Sequence, residues 1–209
     1  MRARPVSPRL LVTDLVERIT AWPATERVRV AVDGPPCAGP DDLAEAVAAE
    51  LPVLGRPALV VRVQDFLRPA SLRFELGRTN PDAYYERWFD LDAVRREVLD
   101  PAGTAGTGRV LPTLWNPETD RATRAGYLTL VPGGVLLLAG PLLLGAGLPF
   151  ELTVHLAVSP AALARRTPEP ERWTLPAYRR YAEEAYPYLS ADVVVRMDDP
   201  RHPALVEAR

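Results

Sequence analysis

The stretch of sequence with the clearest chemical meaning is a loop bounded by two glycines, Gly34 and Gly39. A loop that binds the phosphates of a nucleotide has the pattern G-x-x-x-x-G-K-[ST], where the lysine contacts phosphate and the hydroxyl binds Mg²⁺. Here Pro40 stands at the lysine position and Asp41 at the hydroxyl position. Proline offers neither charge nor backbone N–H, and a carboxylate repels phosphate. The glycine spacing therefore predicts a phosphate loop, while the substitutions predict that ordinary nucleotide binding is lost.

Three carboxylates near this loop could do different chemistry. Asp42 follows Asp41 directly, and Asp65 closes a later apolar run. Carboxylates held close together in a partly dry cleft can share a proton, so these three are the candidate acid–base residues. With Asp33 they could also bind a hard cation. The competing interpretation is structural, because proline at the first helical position and acids in the first turn favour the start of a helix.

Composition narrows the class of protein. The chain has 209 residues and a formal net charge of −2, which predicts binding neither to nucleic acid nor to an anionic membrane. All of its 25 basic residues are arginine, so no lysine elsewhere can replace the missing one. Cys37 is the single cysteine, which excludes an intrachain disulfide and favours the cytoplasm. In the loop, this thiol is interpreted as a small buried side chain rather than as a nucleophile.

Short apolar runs alternate with segments of helical periodicity, an order that favours an α/β fold with a parallel sheet covered on both faces. Ligands of such sheets bind beyond the carboxyl ends of the strands. The predicted strands are Val28–Asp33, Ala58–Asp65, Val135–Gly140, Leu152–Val158 and Ala191–Met197. The predicted helices are Leu10–Trp22, Asp82–Leu99, and shorter ones around Pro160–Arg166 and Leu175–Tyr186.

The remaining segments set the domain organisation. Residues 1–9 are expected to form a flexible tail and residues 10–209 a single domain, with Gly103–Gly108 as a flexible connection. The apolar segment Val131–Phe150 is nearly long enough to cross a bilayer, but glycines interrupt it. A buried strand followed by a loop fits that segment better, so no membrane association is expected.

Seven segments in order carry a family resemblance. They are VDGPPCAG, QDFLRP, NPDAYYERW, LPTLWNPETDRATR, LLLAGPLLL, LARRTPEPERW and YRRYAEEAYPYLSADVVV. Together they resemble the uridine/cytidine kinase group of P-loop kinases, relatives of pantothenate kinases and phosphoribulokinases, from Val28 to Pro203. The resemblance implies a P-loop NTPase fold of the nucleoside-kinase type, a three-layer sandwich with a five-stranded parallel sheet and a short lid.

The resemblance also implies roles for residues of the phosphate site. The loop comprises Gly34, Pro35, Pro36, Cys37, Ala38, Gly39, Pro40 and Asp41. Relatives use an aspartate as general base after the second strand; that position is Gln64 when Phe66 is aligned, and Asp65 after a one-residue shift. Relatives also carry an acid before a glycine after the third strand, where this chain has Ala139. Up to four functional positions have thus changed inside an intact framework.

Other parts of the resembling site keep their residue types. The implied acceptor-like pocket comprises Gln64, Asp65, Arg68, Asp82, Tyr85, Trp115 and Arg121. The implied lid arginines are Arg165, Arg166 and Arg172. Structural interpretations compete here too: Asp82 suits a helix cap, the lid arginines suit a solvated helix face, and Trp115 and Trp173 suit packing.

The residues and the resemblance together leave three functions open. The first is a uridine-kinase-like protein that has lost ATP-dependent phosphotransfer and acts as a pseudokinase-type binding or regulatory protein. The second is a repurposed enzyme that acts on a small metabolite without ATP through Asp41, Asp42 and Asp65. The third is an active small-molecule kinase with a rearranged phosphate site, and only this one requires ATP and Mg²⁺. For the first two functions no resident metal or cofactor is expected. The expected ligand is a small polar or nucleoside-like molecule. A protein partner or a second copy of the chain is a further expected partner.

Overall fold

The structure is a computed structural model that describes residues 2–207, and a seven-stranded sheet forms its centre. The strands of this sheet are β1 (Arg2–Pro5), β2 (Val28–Asp33), β3 (Ala58–Arg62), β8 (Val135–Gly140), β9 (Leu152–Ala157), β10 (Val193–Arg196) and β11 (Ala204–Glu207). Their order is β1-β11-β10-β9-β2-β8-β3, and the five strands from β10 to β3 run parallel. Four two-residue strands form two small ribbons: β4 (Arg109–Val110) with β7 (Leu128–Thr129), and β5 (Trp115–Asn116) with β6 (Arg121–Ala122).

Helices cover both faces of the sheet. They are α1 (Pro8–Thr20), α2 (Pro40–Glu50), α3 (Ala70–Arg73), α4 (Pro81–Arg87), α5 (Leu91–Val94), α6 (Asp100–Ala102), α7 (Pro160–Arg166), α8 (Leu175–Glu184) and α9 (Pro187–Ser190). Single 3-10 turns span Pro36–Ala38, Pro52–Leu54 and Val63–Phe66, a longer one spans Glu169–Thr174, and a π-helical turn spans Arg95–Leu99.

The two faces of β8 explain why its sequence is apolar throughout. Val135 and Leu137 belong to the core under α1 and α2, whereas Leu136 and Leu138 belong to the core under α5 and α8. All six residues of this strand are buried. Successive side chains of a strand point to opposite faces, so a strand covered on both sides must be apolar at every position. This confirms the predicted α/β fold with a parallel sheet and helices on both faces.

All five predicted strands are present, and β1 and β11 extend the sheet from five to seven strands. Residues 2–5, placed in a flexible tail by the sequence analysis, instead form β1, which pairs antiparallel with β11. That tail prediction is wrong for these residues because Arg2–Pro5 finds its hydrogen-bond partners in Ala204–Glu207, far away in the sequence. Periodicity within either segment gives no sign of that pairing.

The helix predicted from Asp82 to Leu99 is broken at Trp88 to Asp90. Phe89 pairs with Leu67 in an isolated bridge, and Asp90 caps a new helix by accepting from the amide of Ala93 at 3.0 Å. The glycine-rich Gly103–Gly108 is also more closely packed than a flexible connection. A Cβ on Gly106 would lie 2.3 Å from the carbonyl oxygen of Pro101, so this turn has room only for glycine.

The order of the strands places the ligand-binding edge of the sheet. β2 lies between β8 and β9. The chain forms β3 and β8 on one side of β2 and then crosses to form β9 on the other side. A sheet with such a switch point leaves a crevice at the carboxyl ends of its central strands. The glycine-bounded loop, residues 34–39, begins at this crevice. Within the described residues, no helix is both long and apolar enough to cross a membrane.

Candidate functional site

The loop after β2 has the backbone of a strand–loop–helix turn. Gly39 adopts a left-handed conformation with φ 75°, which favours glycine, and it directly precedes α2. Gly34 lies so close to β9 that a Cβ there would come within 2.8 Å of the Leu156 Cβ. Both glycines of the predicted pattern are therefore required by the local geometry. Pro40 at the first position of α2 and Asp41 and Asp42 in its first turn also form the helix start that the structural interpretation predicted.

The loop offers few N–H donors to a phosphate. Pro35, Pro36 and Pro40 have none. The amide of Gly34 donates to the Gly140 carbonyl at 3.1 Å, and the Gly39 amide donates to Pro36 at 3.0 Å. The amide of Ala38 donates to Pro35 at 2.7 Å. Three prolines and three bonded amides leave six of the seven positions from Gly34 to Pro40 without a free donor.

Arg166, at the end of α7, closes over the same loop. Its guanidinium donates to the backbone carbonyls of Cys37 and Met197, and at 3.4 Å to that of Asp198. These carbonyls belong to the loop and to the segment after β10. The arginine thus bridges the lid, the loop and the sheet edge, and its donors are directed at carbonyl oxygens.

The candidate catalytic carboxylates are divided between two places. Arg62 lies near two of them: its Nε is 3.8 Å from an Asp41 carboxylate oxygen, and it counteracts the rise in the pKa of Asp65. Burial raises the pKa of Asp41, and repulsion from Asp42, Asp65 and Glu45 adds to the rise that Arg62 opposes. Burial likewise raises the pKa of Asp65. Asp42 is exposed and lines a separate crevice of about 320 Å³ between α1 and the loop.

Asp33, the acidic residue directly before the loop, is fully buried. Asp33 accepts hydrogen bonds from the Leu143 amide at 2.9 Å and the Tyr181 hydroxyl at 2.9 Å. Its other contact is with His155 Nδ1, 2.7 Å from Oδ2. The Tyr181 hydroxyl also accepts from the Leu144 amide at 3.0 Å. This network, the Asp33 network, ties β2, β9, α8 and the loop after β8 together behind the phosphate loop.

A cavity with a volume of about 550 Å³ lies at the crevice, between the loop and the lid. Five aromatic side chains contribute to its wall. The lining residues are Pro36, Cys37, Gln64, Leu67, Tyr84, Trp88, Phe89, Pro141, Arg166, Thr167, Pro168, Glu171, Trp173, Thr174 and Tyr178. None of Asp41, Asp42 and Asp65 is among them. The cavity is thus an apolar space with few polar groups, and the candidate catalytic carboxylates lie outside it.

Tyr84 is the centre of the aromatic wall. Its ring centroid lies 5.4 Å from that of Trp88 and 5.6 Å from that of Trp173, with the latter pair nearly perpendicular at 83°. Its hydroxyl lies 3.0 Å from the Tyr178 hydroxyl. Burial raises the pKa of Tyr84 to about 12, so this hydroxyl stays protonated at neutral pH. Edge-to-face contacts of this kind hold the rings in fixed orientations.

The residues predicted for the acceptor-like pocket are spread over a wider surface. Gln64 lines the cavity, and its Oε1 is buried without a hydrogen-bond partner among the described residues. Tyr85 packs beneath Arg180, whose guanidinium lies 4.6 Å from the ring centroid. Asp82 is exposed and pairs with Arg180 at 3.1 Å. Of the predicted pocket residues, the cavity includes Gln64 and leaves out Asp65, Arg68, Asp82, Tyr85, Trp115 and Arg121.

The ribbon β5–β6 holds two of those residues at a distance from the cavity wall. Trp115 donates from Nε1 to Asp120 at 3.0 Å, and Asp120 also accepts from the amide of Ala70 at 2.8 Å. Arg121 is exposed on this ribbon. The half-buried Arg68 donates its backbone amide to the Trp88 carbonyl at 3.0 Å. Through these contacts, Trp115 and the backbone of Arg68 stabilise the local structure.

The lid arginines differ from one another. Arg166 points inward and lines the cavity, as described above. Arg165 is exposed, and Arg172 is exposed and pairs with Glu169 at 2.6 Å. The sequence does not distinguish these three arginines, because their orientation depends on where α7 ends. The backbone leaves helical geometry at Thr167, which has ψ 123°.

Sequence reasoning missed most of the cavity wall. Tyr84 and Trp88 are four residues apart on and just after α4, which places them on one side of that helix. Their spacing could have singled them out, whereas the approach of Trp173, Tyr178 and Glu171 from the lid could not be read from the sequence. The contact of His155 with Asp33 was also missed, because the two residues are 122 positions apart in the sequence.

The residues present do not fit Mg²⁺ with a nucleotide. The loop has neither the lysine nor the metal-binding hydroxyl of such a site, and its amides at Gly34, Ala38 and Gly39 are already bonded. Among residues 2–207, no group of three or more histidine, cysteine, aspartate or glutamate side chains could hold a metal ion.

Comparison with known proteins supports the fold. The structure titled "Structure of a Possible Uridine Kinase from Bacillus stearothermophilus" aligns with a TM-score of 0.72 and 19% identity, over 89% of this chain and 97% of that one. A "putative fructose transport system kinase" from Silicibacter sp. TM1040 aligns with a TM-score of 0.58 and 22% identity, over 90% and 98% of the two chains. The YGR205w protein aligns with a TM-score of 0.58 and 11% identity, over 96% and 99%. No protein-family model and no curated protein matches the sequence.

Proposed function

We propose that this chain, which has a uridine-kinase-like P-loop kinase fold, binds a small organic molecule in the 550 Å³ cavity and does not transfer phosphate from ATP. The observation that carries the proposal is the state of the loop from Gly34 to Pro40. Six of its seven positions have no free N–H. A phosphate placed there would lose its water shell and could gain a hydrogen bond from only one of these seven positions, the Cys37 amide.

The charges at the start of α2 also disfavour phosphate binding. A lysine about 4 Å from a phosphate contributes on the order of 4 kcal/mol at an effective dielectric constant of 20, and a carboxylate at that distance costs a similar amount. Here Asp41 lies where relatives place the metal-binding hydroxyl, and Pro40 removes the lysine. The exchange turns an attraction for triphosphate into a repulsion.

The active-kinase alternative depends on lid arginines taking over from lysine. Arg166 is the lid arginine that reaches the loop, and its donors are on the carbonyls of Cys37, Met197 and Asp198. To serve a phosphate it would have to give up those bonds. Arg165 and Arg172 lie on the exposed surface of the lid. The geometry therefore favours the binding protein over the active kinase.

An acid–base enzyme that works without ATP is a second candidate. It is favoured by one observation, that burial raises the pKa of both Asp41 and Asp65 beside Arg62. Shifted carboxylates of this kind are common at catalytic sites but also occur in structural clusters. The large cavity does not include either residue, so the binding protein remains the better-supported proposal.

Titration calorimetry of the full chain tests the proposal. ATP and GTP, each with and without Mg²⁺, are expected to give no heat of binding at micromolar concentrations. Micromolar affinity that depends on Mg²⁺ contradicts the proposal. Mass spectrometry of the purified chain under native conditions then examines the cavity, where the proposal expects a bound small molecule or a vacant space that ring-containing compounds fill.

A further inference from the structure

The cavity wall carries two charged side chains, Arg166 and Glu171, and they are used differently. The N–H groups of Arg166 donate to three backbone carbonyls, whose negative ends lie against its charge. Glu171 lies in the 3-10 turn Glu169–Thr174, and within residues 2–207 its carboxylate has no ion-pair partner or hydrogen-bond donor. The neighbouring Glu169, by contrast, is paired with Arg172.

The field of Glu171 reaches two sides of the cavity. Its charge adds to burial in raising the pKa of Tyr84, on α4, and of Cys37, in the loop. An unpaired carboxylate at the wall of an apolar space attracts a cation placed there. It disfavours a carboxylate or a phosphate for the same reason.

The aromatic wall of the cavity also favours a cation. The face of an aromatic ring carries partial negative charge, and a cation over it is stabilised by about 0.5–2 kcal/mol. Trp88 already shows this behaviour in the structure, because the guanidinium of Arg73 lies 5.2 Å from its centroid. Arg73 does not line the cavity, and the rings of Tyr84, Trp173 and Tyr178 have no such partner among the described residues.

From this combination of rings and one unpaired acid, we infer that the molecule bound in the cavity carries an organic ammonium group attached to a ring or hydrocarbon. Glu171 is its counter-ion and the residue that determines charge specificity. This inference rests on the proposed function, since it names the class of ligand for the same cavity. It excludes phosphorylated metabolites and carboxylic acids as ligands.

Three probes with one ring and three charges test the inference on the full chain. Tyramine is a cation at neutral pH, tyrosol is its uncharged alcohol analogue, and 4-hydroxyphenylacetate is the corresponding anion. Affinities are measured by calorimetry at low salt, with the fluorescence of the cavity tryptophans as a second signal. Tyramine is expected to bind about five- to tenfold more tightly than tyrosol, and 4-hydroxyphenylacetate more weakly than both.

Two variants of the lid turn give matched controls. Glu171→Gln should remove the preference for tyramine, so that tyramine and tyrosol bind with similar affinity. Glu169→Gln removes an acid two residues away that lies outside the cavity, and it should keep the preference. Both positions are exposed, so both variants should unfold at nearly the temperature of the unmodified chain.

Each outcome has a defined meaning. Equal affinity for the three probes, or a tyramine preference that survives Glu171→Gln, overturns the inference about charge and leaves the proposed function intact. Failure of all three probes to bind also overturns it. Failure of the proposed function is recognised separately, by Mg²⁺-dependent nucleotide affinity in the titration described above.

Discussion

Asp33 and His155 end up side by side on neighbouring strands, with Oδ2 and Nδ1 2.7 Å apart in a part of the molecule closed to solvent. Asp33 is the last residue of β2, directly before Gly34, so the loop begins at a point held by this contact. Tyr181 joins the same carboxylate from α8. The base of the loop and the helix that follows the lid are therefore fixed to the sheet.

The Asp33 network should contribute strongly to stability. Asp33→Ala leaves the Leu143 amide, His155 and Tyr181 without their acceptor, and such a loss costs about 3–5 kcal/mol of the free energy of unfolding. Tyr181→Phe removes one hydroxyl and should cost about 1–2 kcal/mol. Urea unfolding followed by circular dichroism measures both. Tyr186→Phe, at a side chain that is 58% exposed, serves as the control and should change the free energy by less than about 0.5 kcal/mol.

Restoring the two missing residues of the loop should restore some affinity for nucleotide. Pro40→Lys combined with Asp41→Ser replaces a repulsion by an attraction, so the affinity for Mg²⁺·ATP should rise at least about tenfold over the unmodified chain. It should stay far below that of a working kinase, because Pro35 and Pro36 still lack N–H groups. Pro40→Gln removes the proline without adding charge and should show no such gain in the same titration. An unmodified chain that already binds as well as the double variant contradicts the electrostatic argument.

Arg166 should hold the lid against the loop. Arg166→Ala removes the bonds to Cys37, Met197 and Asp198, and amide hydrogen exchange over residues 160–174 should become faster as the lid opens more often. The adjacent Arg165 is exposed, so Arg165→Ala should leave exchange unchanged. Exchange followed by mass spectrometry makes the comparison. Unchanged exchange in Arg166→Ala speaks against the closure of the lid by this residue.

Asp41 should make stability depend on pH in a direction opposite to that of most acids. Burial raises its pKa in the folded state, so the folded state holds more protons than the unfolded state between the ordinary and the raised pKa. Stability from this group is therefore present at low pH and is lost as the pH rises through that window. Asp41→Asn should raise the urea midpoint more at pH 7 than at pH 4. Asp92→Asn, at an exposed acid in the first turn of α5, removes a helix-start charge without burial and should lack that difference.

The sequence predicted the framework with good accuracy. Buried parallel strands need apolar side chains on both faces, so β8 was recognisable from its continuous run of apolar residues. The loop was recognisable because Gly34 and Gly39 are each required by local geometry, a close approach and a positive φ. The apolar run of β8 and the positive φ of Gly39 are set by residues near each other in the chain, whereas the close approach at Gly34 is to Leu156 of β9.

The sequence-based prediction failed where segments that are distant in the chain pair with each other. The break of the long helix at Phe89 depends on pairing with Leu67, and β1 depends on pairing with β11. Neither partner is marked by periodicity in its own segment. Local propensity was overridden in both places by hydrogen bonds that become available only after the chain has folded.

The sequence by itself determined the α/β framework, the position of the phosphate loop and the absence of lysine from it. Only the tertiary structure decided that the loop amides are already bonded, that Arg166 faces carbonyls, and that Tyr84, Trp173 and Glu171 share one cavity. The physical reason is that backbone conformation follows from short-range sterics and side-chain patterning. The composition of a cavity depends instead on which surfaces α4, the loop and the lid present to one another once they have packed on the sheet.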